Sequence, residues 1–70
     1  MGYVVITWWP EDATDAVARV LEREAELSPA AAQEQVDAVL GGGMIYLEFP
    51  SLAQAEWVAR AAARRGALAE

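Results

Sequence analysis

Two runs read as β-strands, Tyr3-Val4-Val5-Ile6-Thr7-Trp8-Trp9 and Met44-Ile45-Tyr46-Leu47-Glu48-Phe49, and both are apolar on each of their faces. Side chains alternate across a strand. One face therefore carries Val4, Ile6 and Trp8 with Ile45, Leu47 and Phe49, all of them apolar. The opposite face carries Tyr3, Val5, Thr7 and Trp9 with Met44, Tyr46 and Glu48, which is aromatic and only lightly polar. Helices can cover one face of so narrow a sheet, hardly both. The aromatic face is expected to meet something else, either a second copy of the chain or another protein.

The remainder of the chain reads as three helices. Pro10 stops the first strand because it has no amide to give a ladder. Asp12 is placed as an N-cap and Asp15 in the first turn, where a negative charge suits the helix dipole. The first helix is predicted over 13–27, with Ala13, Val17, Val20, Leu21 and Leu27 as its apolar stripe. Ser28-Pro29 restarts the chain, serine capping and proline filling the first turn. The second helix is predicted over 29–40, with Ala32, Val36, Val39 and Leu40 inward, and Gly41-Gly42-Gly43 ends it. After the second strand, Pro50 and Ser51 open a third helix over 52–65, Ser51 and Gln54 forming a capping-box pattern. Its inner stripe is Leu52, Ala55, Val58, Ala59 and Ala62. Gly66 stops it, and Ala67 to Glu70 reads as a frayed tail. The expected fold is α/β (α+β): a single small β-α-α-β-α domain over 1–70, its two-stranded sheet packed by helices on one face and open to extension by dimerisation.

Seventy residues suffice for one domain, and a domain this small buries only a modest share of its surface. Such scaffolds lean on disulfides, metal or self-association. Cysteine and histidine are both absent, so self-association is the support that remains. Lack of a disulfide framework suits the cytoplasm, and no stretch resembles a signal peptide or membrane span. With no cysteine, histidine or lysine, the common nucleophiles, bases and metal ligands are missing. Ser28 and Ser51 both stand where caps belong, and the triple glycine lacks the spacing and lysine of a phosphate loop. The chain is not expected to be an enzyme, nor to hold a cofactor or metal.

Eleven acids against five arginines give a net charge of −6. The excess is uneven: residues 1–50 hold nine acids against Arg19 and Arg23, a balance of −7. A body this negative repels nucleic acid and anionic membrane and attracts basic protein surfaces. Three features could carry binding. The first is the aromatic face, with Tyr3, Val5, Trp9, Met44 and Tyr46; covered by a helix or tail it would be ordinary core, and left open it marks an interaction site. The second is the first helix, on which Glu11, Asp12, Asp15, Glu22 and Glu26 fall within about a third of the circumference. They form either a solvated face or a row of carboxylates imitating a phosphate backbone. The third is Trp57, off the inner stripe of its helix, either lying flat over Arg60 by cation–π contact or anchoring a partner. Glu24 is anomalous, since it falls on the apolar stripe of the first helix.

Strand, two helices, strand, helix, with a tight turn between the helices, resembles the core of ClpS-type protease adaptors and the C-terminal domain of the ribosomal stalk protein. The likeness runs through Tyr3-Val4-Val5-Ile6, Val17 to Leu21, the Ser28-Pro29 turn, Ala38-Val39, the glycines and Ile45 to Phe49. In the adaptors an Asn-Asp-Asp stretch after the first strand helps hold the amine of a degradation signal. Trp8-Trp9-Pro10-Glu11-Asp12 occupies that place here, with Asp12 in reach. Leu40 stands where those adaptors carry a histidine, and their last strand has no counterpart in this reading. Short, acidic and without catalytic residues, the chain is also similar in style to phage inhibitors of the anti-CRISPR type. The expected role is a non-catalytic, homo-oligomeric protein-binding module. Its target is a basic, nucleic-acid-handling protein blocked by the acidic face, a DNA-mimic inhibitor. The alternative is a ClpS-like adaptor or assembly module that grips a peptide or subunit with the aromatic face. Neither reading has the chain bind nucleic acid or membrane directly.

Overall fold

The computed structural model describes residues 1–69 and gives the order β1 (Gly2–Trp8), a 3₁₀ turn (Glu11–Ala13), α1 (Thr14–Arg23), α2 (Pro29–Leu40), β2 (Ile45–Phe49), α3 (Leu52–Arg64) and β3 (Leu68–Ala69). All pairings are antiparallel, and β1 lies in the middle of a three-stranded sheet ordered β2-β1-β3. Five consecutive pairs join β1 to β2, from Gly2 opposite Phe49 to Ile6 opposite Ile45. Val4, Ile6, Ile45 and Phe49 form the buried face, and the helices cover it with Val17, Val20, Leu21, Ala32, Val36, Ala55, Val58, Ala61 and Ala62. Among the described residues no polar or charged residue is buried. As the sequence suggests, the helices cover one side of the sheet only, since Tyr3, Thr7, Tyr46 and Glu48 remain exposed.

Helix ends account for much of this layout. Ser28 Oγ accepts from the Ala31 amide and Ser51 Oγ from the Gln54 amide, at 3.2 and 3.0 Å, so both predicted caps form. The C-termini of α2 and α3 close in the Schellman pattern around a left-handed glycine. At the end of α2, Gly42 has φ +94, its amide donates to Val39 O, and the Gly43 amide donates to Ala38 O. At the end of α3, Gly66 has φ +90, its amide donates to Ala63 O, and the Ala67 amide donates to Ala62 O. Both α2 and α3 match their predicted spans to within a residue.

Four expectations need correction. The segment after Gly66 is not a frayed tail: Ala67 is buried, and Leu68–Ala69 pair with Trp8 and Ile6 as a third strand. The turn at Gly66, packed against the Pro10 ring, aims these residues along β1. Second, the pairing of β1 with β3 shifts register between Ile6 and Trp8. An irregularity of this kind offsets the alternation of side chains by one, so Trp8, expected inside, is exposed and Trp9, expected outside, is buried. Third, the first helix is shorter than predicted. Asp12 lies in the 3₁₀ turn rather than capping α1, whose N-cap position is Ala13 without a side-chain bond. At the far end Glu26 takes φ 59, while the Ala25 and Leu27 amides reach back to Val20 O and Leu21 O at 3.3 and 3.0 Å. The chain thus leaves the helix and still returns Leu27 to the core. Fourth, Leu40 and Leu52, placed on inner stripes, are both exposed.

Candidate functional site

The outward side of the sheet is the most distinctive surface. Tyr3 pairs with Glu48 and Val5 with Tyr46, so the two tyrosines are diagonal neighbours on adjacent strands. Their rings stack with centroids 5.6 Å apart and planes 23° from parallel, within the usual range for an aromatic pair. Tyr3, Met44 and Tyr46 are 59, 57 and 49 % exposed, and Val5 is half-buried beside them. Trp8 and its cross-strand partner Leu68 add two more large apolar side chains that are over half exposed. Sequence reasoning placed neither there: Trp8 because the register shift has no sequence signature, Leu68 because β3 was not foreseen.

Trp9 does not belong to this surface. It is buried, and its indole N–H donates to Thr14 Oγ1 at 3.1 Å, while that hydroxyl donates to the Glu11 carbonyl at 2.9 Å. This relay ties the end of β1 to the start of α1 and satisfies the polar end of an otherwise apolar ring. Beside it, Thr7, Trp8, Trp9, Glu11, Val39 and Leu40 line a surface hollow of about 480 Å³. Its walls are mostly apolar, and Glu11 is the one acid among the described residues that line it.

Glu11 and Asp12 are exposed in the 3₁₀ turn and Asp15 is exposed on α1, whereas Glu22 is half-buried. Glu26 sits beyond the helix with its backbone left-handed. The five acids therefore do not form one helical stripe, and the continuous cluster is the group around the start of α1.

Trp57 is exposed on α3, and of its two readings the cation–π contact over Arg60 is not found among the described residues. Its indole N–H donates to the Glu24 carboxylate across thirty-three positions of sequence. That contact also explains Glu24, which follows α1 and bridges to α3 instead of facing the core. No local spacing links two residues so far apart, so the pair was invisible in the sequence.

Among the described residues no group of three or more potential metal ligands comes together, and no helix is long and apolar enough to cross a membrane. Compared with protein-family models, curated proteins and solved structures, the chain matches none.

Proposed function

We propose that the chain is a non-catalytic protein-binding module that docks through the outward face of its sheet. The observation that carries this reading is the stacked, half-exposed Tyr3–Tyr46 pair flanked by Met44 and Val5. Tyrosine on a rigid strand offers a large contact area at small entropic cost and is enriched where binding energy concentrates. The partner is a protein presenting an apolar patch rimmed by basic side chains, which the chain's charge of −6 favours at long range. The hollow beside Trp8 and Leu40 suits the adaptor form of the same role, accepting one hydrophobic side chain of the bound peptide.

Capture of partners by the native chain and by Tyr46→Glu, with folding of both checked by circular dichroism, tests the proposal. Binding that is lost in the variant, yet holds in the native chain between about 0.1 and 1 M salt, supports an apolar grip. Partners retained by Tyr46→Glu would refute it. Light scattering on the same pair reads self-association: a dimer that disappears in the variant makes the chain its own partner.

A second reading rests on Glu11, Asp12 and Asp15, exposed together at the start of α1. In it the acids occupy the basic channel of a nucleic-acid-handling protein in the manner of a DNA mimic. Reversing these three to arginine would then abolish binding, and capture would fade steeply as salt rises.

A further inference from the structure

Three of the chain's five basic residues converge on one place. Arg19 and Arg23 of α1 and Arg65 at the end of α3 line a hollow of about 170 Å³, with Ala16, Val20 and Glu24 completing its wall. Arg19 and Arg23 are four residues apart on a helix, where like charges repel. A helix-end role suits Arg23, in the last turn of α1, and Arg65, the C-cap of α3. It does not account for Arg19, one turn further back. Arg65 is already oriented, because its Nη1 donates to the Ala61 carbonyl at 3.0 Å, which leaves the rest of the guanidinium fork to other acceptors. Among the described residues Glu24 is the one acid lining the hollow, and its carboxylate accepts from the Trp57 indole.

We propose that this hollow is a binding site for a phosphate-class oxyanion. Among the described residues, three guanidiniums against one carboxylate line it, a balance of +2 in a chain that carries −6 overall. Guanidinium forks match the geometry of phosphate oxygens and bind them through paired, charge-assisted bonds. At about 170 Å³ the hollow has room for a tetrahedral anion. The negative body sets the selectivity. A long polyanion meets the repulsion of the whole chain, whereas a small dianion inside the hollow meets the three arginines at contact distance, with Asp15 and Glu22 of the same helix acting from farther off. The site is separate from the sheet face and stands whether or not that face binds a protein.

The test is a titration with inorganic phosphate at constant ionic strength, following the five arginine Nε–H signals by nitrogen-15 NMR. Saturable shifts are expected at Arg19, Arg23 and Arg65, with Arg60 and Arg64 as internal controls outside the hollow. Arg19→Gln and Arg65→Gln are each expected to weaken binding about tenfold or more, the worth of a lost charge-assisted bond, and Glu24→Gln to tighten it. All three positions are at the surface, and circular dichroism confirms that each variant folds. A phosphate monoester that binds tighter than inorganic phosphate identifies an organic phosphate as the ligand; equal binding identifies the free anion. Non-saturating drift of all five arginines, or affinity unchanged in both Arg19→Gln and Arg65→Gln, overturns the proposal.

Discussion

Trp8 and Trp9 are adjacent in sequence and opposite in fate, and the difference should be measurable. Trp9 fills the core and has its N–H satisfied by Thr14, whereas Trp8 is over half exposed. Removing a buried aromatic ring costs about 3–5 kcal/mol, a large part of what holds so small a domain together. Trp9→Ala is therefore expected to unfold or nearly unfold the chain in urea titration, while Trp8→Ala shifts the midpoint by an amount worth about 0.5 kcal/mol or less. Equal losses would mean that the strand does not shift register. Gly2 offers a sterically sharper case. A Cβ there would lie 2.9 Å from both Ala55 Cβ and Leu52 Cα, so β1 and α3 approach each other only because the side chain is missing. Gly2→Ala is expected to cost about 1–3 kcal/mol by overpacking, read by the same titration; a neutral outcome would show that α3 can shift aside cheaply.

What the elements reveal depends on whether their signals are local. The boundaries of α2 and α3 were legible because serine caps, proline and left-handed glycines act within a turn of their own position. The end of α1 was not, since nothing in Glu26 announces a left-handed backbone. β3 was equally hidden: leucine and alanine carry little strand preference, and their pairing follows from where the Gly66 turn aims the chain. The aromatic face was foreseen in Tyr3, Val5, Met44 and Tyr46 because alternation is a local rule, and it failed at Trp8 and Trp9 where a third strand broke that rule. Glu26 itself provides a test. A non-glycine residue in the left-handed region costs about 1–2 kcal/mol, partly offset on going to glycine by the greater freedom of the unfolded chain. Glu26→Gly is expected to stabilise the fold by about 0.5–1 kcal/mol. Glu26→Ala, which removes the same charge but keeps the Cβ, should not. If both variants gained equally in thermal melts, the benefit would come from charge and not from the backbone.

At the scale of the molecule, charge and size pull against each other. Nine acids in the first fifty residues, against two arginines, press on a domain whose core is built largely from valine, isoleucine and alanine. Glu11, Asp12 and Asp15 lie close in sequence and all are exposed, so water and salt, more than protein contacts, moderate their repulsion. Screening shortens from about 30 Å at 0.01 M ionic strength to about 10 Å at 0.1 M, from about the longest dimension of a body 29 × 22 × 19 Å across to about half its shortest. Raising sodium chloride across that range should therefore relieve repulsion between distant acids as well as neighbours. We expect the melting temperature to rise by several degrees, since about 1 kcal/mol corresponds to roughly 4–8 °C in a domain of this length. The arginine hollow adds a distinguishable increment, because a ligand that binds only the folded state stabilises it by mass action. Phosphate at matched ionic strength should then raise the melting temperature beyond chloride, and Arg19→Gln should remove that extra rise while keeping the response to chloride. A melting temperature that falls as chloride is added would show that attraction, not repulsion, dominates the charge pattern of this chain.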